Sequence, residues 1–122
     1  MEPMSSKKQS IEGQLPLNPP VFQILLALAR GERHGYAIMQ EVRERSGGAI
    51  NLGPGTLYYS IKRMVANGLI EESGERPTPE ADDERRRYYR VTPFGRAVAE
   101  AESQRLADLV ELARAKDYLK AR

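Results

Sequence analysis

The stretch "PGTLYYSIKRMVANG", Pro54 to Gly68, constrains this chain more than any other, because it names both ends of a helix. Proline suits the first helical turn, where its missing N–H has no intrahelical partner to lose. Glycine stops a helix because it tolerates the left-handed geometry of the terminus, so the helix is expected from Pro54 to about Asn67. At about 100° per residue, Leu57, Ile61, Met64 and Val65 fall on one side and face a core. Gly55, Tyr59, Lys62, Arg63 and Ala66 lie opposite, and Thr56 and Tyr58 flank the boundary. Tyr58 is expected to lay its ring on the domain with its hydroxyl in solvent. Taken alone, the polar face could be a solvated surface with two incidental tyrosines.

Two further helices precede it. The first, from about Pro20 to Arg30, spreads Val21, Phe22, Ile24, Leu25, Leu26 and Leu28 around most of its circumference. A helix apolar on more than one side needs more than one partner, which predicts a second subunit as well as its own domain. The second, from about His34 to Ser46, buries Ile38, Met39 and Val42 and ends at Gly47 and Gly48. His34 beside Gly35 is expected to cap or orient it. Residues 1–18 are polar and proline-bearing without a period, and read as a flexible amino-terminal arm.

After the third helix, "GLIEESGERP" and "RRRYYRVTP" have partial strand character and are separated by the acidic turn-former "TPEADDE". Three helices followed at once by a hairpin describe a winged helix-turn-helix, mostly α with a small β wing, in which the third helix enters the major groove. The wing carries Arg85, Arg86, Arg87 and Arg90, guanidiniums suited to phosphate oxygens. Glu80, Asp82, Asp83 and Glu84 precede them, and the competing reading is a self-neutralising charged loop. Side chains alternate along a strand, so Arg85 and Arg87 should share one face and Arg86 the other, and Tyr88 and Tyr89 should likewise diverge.

The remainder supports a long helix. Thr92 can cap it and Pro93 can occupy its first turn. Leu106, Leu109, Val110 and Ala113 recur at i, i+3, i+4 and i+7 on an otherwise charged helix. Roughly 27 residues would extend about 40 Å, beyond what so small a domain can cover, so a second copy is the expected partner. The predicted interface uses Val21, Phe22 and Leu25 with Leu106, Leu109, Val110 and Ala113. The organisation expected is an arm at 1–18, a DNA-binding domain at 19–93 and a dimerisation helix at 94–122.

Composition excludes other classes. A net charge of +2 requires any basic surface to be local. The absence of cysteine removes disulfides, thiolate metal sites and cysteine nucleophiles, and agrees with a reducing compartment. The longest apolar run, Ile24 to Ala29, is far short of the roughly 20 residues that span a bilayer. A soluble cytoplasmic protein is expected, with no membrane partner. One histidine, His34, and a glycine stretch "GGAINLGPGT" without the lysine of a phosphate-binding loop leave no catalytic residue, metal or cofactor to expect. The rival to DNA binding is a winged helix serving as a protein-interaction module, its acidic wing tip meeting a basic partner.

"LLALARGERHGYAIMQEV", "GPGTLYYSIKRMVANGLIEE" and "RRRYYRVTPFGRA", in this order and spacing, resemble the PadR family of bacterial transcriptional regulators, in its short form without a separate carboxy-terminal dimerisation domain. The resemblance covers nearly the whole chain. It implies a homodimeric winged-helix repressor of an inverted-repeat operator, released by a small hydrophobic or aromatic effector. Carried over by position, Tyr36, Thr56, Tyr58 and Lys62 would contact duplex DNA. Pro54, Gly55, Tyr59 and Arg63 on the same helix, and Arg85, Arg86 and Arg87 in the wing, would assist. Tyr59 stands where the family commonly has proline, and the wing is more acidic than usual. For an effector at the interface, Phe22, Phe94 and Tyr118 are the aromatic candidates.

Overall fold

The computed structural model describes residues 10–75 and 87–121. After a single 3-10 turn at Glu12–Gln14 come α1 (Pro19–Ala27), β1 (Arg33–His34), α2 (Gly35–Arg45), α3 (Pro54–Ala66), β2 (Ile70–Glu75), β3 (Arg87–Val91) and α4 (Pro93–Ala115). Local chemistry sets these ends. The Ala37 N–H donates to His34 Nδ1 at 3.2 Å, so the imidazole caps α2. Gly48, at φ 90°, closes that helix with its N–H on the Arg43 carbonyl at 2.8 Å. Gly68, at φ 79°, lets the Leu69 N–H reach back to the Met64 carbonyl at 2.9 Å, ending α3 as it turns into β2. The Gly95 N–H donates to Thr92 Oγ1 at 2.9 Å, and Pro93 follows that cap as expected.

The sheet is antiparallel in the order β1-β3-β2. β2 and β3 form the wing, with Ile70 opposite Val91 and Glu72 opposite Tyr89, and a bulge between Glu72 and Gly74. β1 was not expected. It is two residues long, too short to show a period, and exists because Arg33 and His34 pair with Tyr89 and Tyr88. The two tyrosines diverge as the strand pleat requires: Tyr89 is buried, whereas Tyr88 meets the His34 ring edge-on with centroids 5.3 Å apart.

Ile24, Ile38, Val42, Leu57, Met64, Leu69, Ile70 and Val98 are fully enclosed, so every helix and the wing contribute to one core. Each such side chain stabilises the fold by roughly 1.5–3 kcal/mol relative to exposure. Three expectations are corrected here. The described part of the segment read as an arm is a packed strap: Leu17 is buried and Ile11 and Leu15 rest on the core, although their spacing follows no period. Val65 is 42% exposed, and Ser60 is buried in its stead, because 57, 60, 61 and 64 make the i, i+3, i+4, i+7 stripe. The last helix has 23 residues, fewer than the spacing predicted, and its chain turns at Asp117 with φ 69°.

Candidate nucleic-acid interface

α3 begins with bare amides. Gly53 is its N-cap and makes no side-chain cap bond, and Pro54 occupies the first turn. The Gly55 and Thr56 N–H groups lack intrahelical acceptors by geometry and carry the positive end of the helix dipole, an arrangement that favours an anion. Behind them Gly55, Thr56, Tyr59, Lys62, Arg63 and Ala66 are all exposed, so the outward face is the one expected. Among the described residues no ion pair engages Lys62 or Arg63. The Arg63 guanidinium lies 5.8 Å from the centre of the Tyr59 ring. That contact gives Tyr59 a role: its ring props the cation on the outward face.

A cleft flanks α3 on each side. On the wing side, Tyr58, Ile61, Lys62, Val65, Glu72, Arg87 and Tyr89 enclose about 380 Å³. On the strap side, a cleft of about 240 Å³ lies between α3 and residues 14–18, with Tyr59, Arg63 and Asn67 along its rim. α3 is therefore walled by the wing and by the strap.

The expected contact residues separate into groups. Pro54, Gly55, Thr56, Tyr59, Lys62 and Arg63 share the open face, and Tyr36 is 46% exposed at the start of α2, its hydroxyl accepting from Gln40 Nε2 at 3.3 Å. Tyr58 departs from expectation. Its hydroxyl is buried, not solvated, because the ring folds in against Gly35, which has no side chain to keep it out. In the wing, Arg87 Nε lies 3.6 Å from Glu72 Oε2 and Arg90 Nε 2.7 Å from Glu71 Oε2. All four side chains are well exposed, so each pair is worth at most about 1 kcal/mol and yields readily to a phosphate. Arg85 and Arg86, and the alternation expected of them, lie outside the described residues.

The expected interface and effector residues divide similarly. Leu109 and Val110 are exposed, and Val21, Phe22, Leu106 and Ala113 are half-buried. Leu25 is a correction: it is enclosed in the protomer's own core, and its neighbour Leu26 is the apolar side chain of α1 that faces out. Phe22 and Phe94 pack on the core, whereas Tyr118 lies exposed past the end of α4, roughly 30 Å of helix away from Phe94. The three aromatics do not form one site within a protomer. A cavity between α1 and α4 takes in none of the three: Leu25, Leu26, Ala29, Val91, Ala99 and Ala107 line about 460 Å³ there, with Arg96 and Glu100, while Tyr118 borders a separate hollow of about 450 Å³ with Leu109, Leu112 and Ala113. Small side chains on α4, Ala99, Ser103 and Ala107, make the space between α1 and α4, and their spacing is the signal that "RAVAEAESQRLA" carries.

Among the described residues no group of three histidine, aspartate or glutamate side chains could hold a metal, and no helix is long and apolar enough to cross a membrane. The sequence model of the transcriptional regulator PadR-like family matches residues 24–101. Transcriptional regulator Rv3488 of Mycobacterium tuberculosis is 37% identical over 88 residues, which cover 72% of this chain and 76% of that protein. An uncharacterised 37.1 kDa protein in transposon TN4556 of Streptomyces fradiae is 40% identical over 92 residues, 75% of this chain, and the match spans only 24% of that longer protein. Among solved structures, a PadR family transcription regulator from Clostridium difficile R20291 superposes with a TM-score of 0.68 at 26% identity, covering 80% of this chain and 97% of the other.

Proposed function

Because the chain belongs to the PadR-like family of transcriptional regulators, we propose that it acts as a homodimeric repressor that binds duplex DNA through α3 and the wing. The observation that carries this reading is the outward face of α3. Uncapped amides at its start, Thr56, Lys62 and Arg63 along it, and no carboxylate on the helix itself suit insertion between phosphate backbones. Residues 19–93 would form the DNA-binding domain and 94–122 the dimerisation helix. Twofold symmetry would then set two copies of α3 about one helical turn of DNA apart, roughly 34–36 Å, on an inverted repeat. The apolar cavity between α1 and α4 suits a small hydrophobic or aromatic effector, which would release the operator by favouring a different dimer geometry.

Selection of duplexes from a randomised library by the wild-type protein tests the reading directly. An enriched inverted repeat is expected, bound with an affinity that falls steeply with salt. Lys62→Glu with Arg63→Glu should abolish that binding and leave the oligomeric state intact. No enriched duplex, even at low salt, sinks the proposal. The effector role fails separately if compounds that bind between α1 and α4 never alter operator affinity.

A further inference from the structure

The strap-side cleft differs from its counterpart on the wing side in one respect that chemistry can use. Glu72 sits with Lys62 and Arg87 on the wing side, whereas among the described residues Arg63 is the sole charged one lining the strap side. Around Arg63 stand three primary amides, from Gln14, Asn18 and Asn67, each able to donate two N–H groups. Leu17 and Met64 help close the bottom with apolar surface. A guanidinium beside amide donors, with no opposing carboxylate among the described residues, is suited to a phosphate-like anion.

The strap is held in place for this task. Leu17 is buried, and its backbone N–H faces the Glu102 carboxylate of α4 and helps to hold that carboxyl below its usual range. Arg105 Nε and Nη2 hold that carboxylate from its other side at 2.8 Å each. Gln14 and Asn18 therefore hang from an anchored backbone, and little ordering is left to oppose binding.

Groove dimensions say which anion. An α-helix with side chains is about 10–12 Å across, and the major groove is about 12 Å wide. A helix seated there has one sugar-phosphate backbone along each flank. On α3 these flanks are the two clefts. We propose that the strap-side cleft seats a backbone phosphate of the bound duplex, with Gln14, Asn18 and Asn67 joining Arg63 as contacts. The strap thus acts as a second wall of the DNA interface, opposite the wing. This inference rests on α3 being the DNA-binding helix.

The test uses the full chain and a duplex selected by the wild-type protein from a randomised library. Asn18→Asp and Gln14→Glu place carboxylates in the cleft without changing side-chain size. Asn18 is the N-cap of α1 and makes no side-chain cap bond, so aspartate there favours the helix and folding should not suffer. At moderate salt Asn18→Asp should weaken binding about tenfold by charge repulsion, and the double variant more, with an unlowered Tm. Ethylation of the phosphates beside the strap should interfere with wild-type binding and cease to matter for the double variant. Affinity within about twofold of wild type with an unchanged interference pattern overturns the inference, while loss of binding in Lys62→Glu/Arg63→Glu would leave the function standing. Failure of the wild type to select any duplex overturns both. Inorganic phosphate that shifts the Gln14 and Asn18 side-chain amide resonances, without ethylation interference at the strap, assigns the cleft to a free anion and overturns the DNA assignment.

Discussion

Gly35 and Tyr58 occupy one space: a Cβ at Gly35 would come within 2.9 Å of Tyr58 Cε1 and Cζ, and closer still to the hydroxyl. The glycine of "HGY" and the first tyrosine of "LYY" are thus halves of one packing arrangement that joins the start of α2 to α3. Gly35→Ala should turn the ring outward, because the obstructing atoms are the far end of a movable side chain. The cost should be about 1 kcal/mol, with the Tyr58 hydroxyl newly exposed. Urea unfolding of Gly35→Ala, Tyr58→Leu and the double variant checks it. The alanine should cost nothing once the tyrosine ring is gone.

Gly95 meets an obstacle that cannot turn away. A Cβ there would run into the Leu69 carbonyl, with the Leu69 carbonyl carbon at 2.8 Å. Leu69 is buried and its carbonyl also accepts from Thr92, so the backbone is fixed where α4 crosses the entry to β2. Gly95→Ala should cost more than about 3 kcal/mol, the upper end for overpacking, read as a lowered urea midpoint or failure to fold. Gly55→Ala is the control: nothing lies near its Cβ position, and helix propensity should make it neutral or stabilising by about 0.5–1 kcal/mol.

Glu102 links stability to pH. Its hydrogen bonds from Arg105 hold the carboxyl below the usual carboxylate range; burial opposes this, and the Leu17 N–H adds to the lowering. A carboxyl lowered by folding contributes stability that is fully present above its unfolded value and is lost as pH falls through the folded one. Glu102→Gln should therefore cost about 1–2 kcal/mol at neutral pH, and the gap to wild type should close in acid. Unfolding midpoints measured from pH 7 down to pH 3 test the sign: a gap that widens in acid would show that Glu102 does not act as a paired carboxylate.

Helix ends were legible because they are written in local chemistry. Pro54 and Gly68 bound α3, Thr92 and Pro93 begin α4, and His34 caps α2, each within a few residues of the atoms it serves. What escaped the sequence depends on partners far along the chain. β1 forms only against Tyr88 and Tyr89, and the strap is ordered by the core and by Glu102. The same limit applies to the site. Periodicity identified the open face of α3, but it could not reveal that Gly35 draws Tyr58 inward. Nor could it reveal that Leu25 faces the protomer's own core while Leu26 faces out, since both are leucines on a helix apolar nearly all round.

The outer part of α4 supplies the last prediction. Leu109, Val110 and Leu112 are 49%, 43% and 52% exposed, and Leu26 of α1 is 40% exposed. Apolar side chains at such density on a charged helix call for a covering surface, and a second copy of the chain offers the same stripe under twofold symmetry. Leu109→Glu with Leu112→Glu should leave the protomer folded, because neither side chain belongs to its core. Sedimentation should give a mass near 13.7 kDa for the variant and twice that for the wild type. Operator affinity should fall by about 100-fold or more, because each half-site would then be bound without the effective concentration that a tethered neighbour provides. A wild type that sediments as a monomer at concentrations where it binds its operator would remove the dimer from the mechanism.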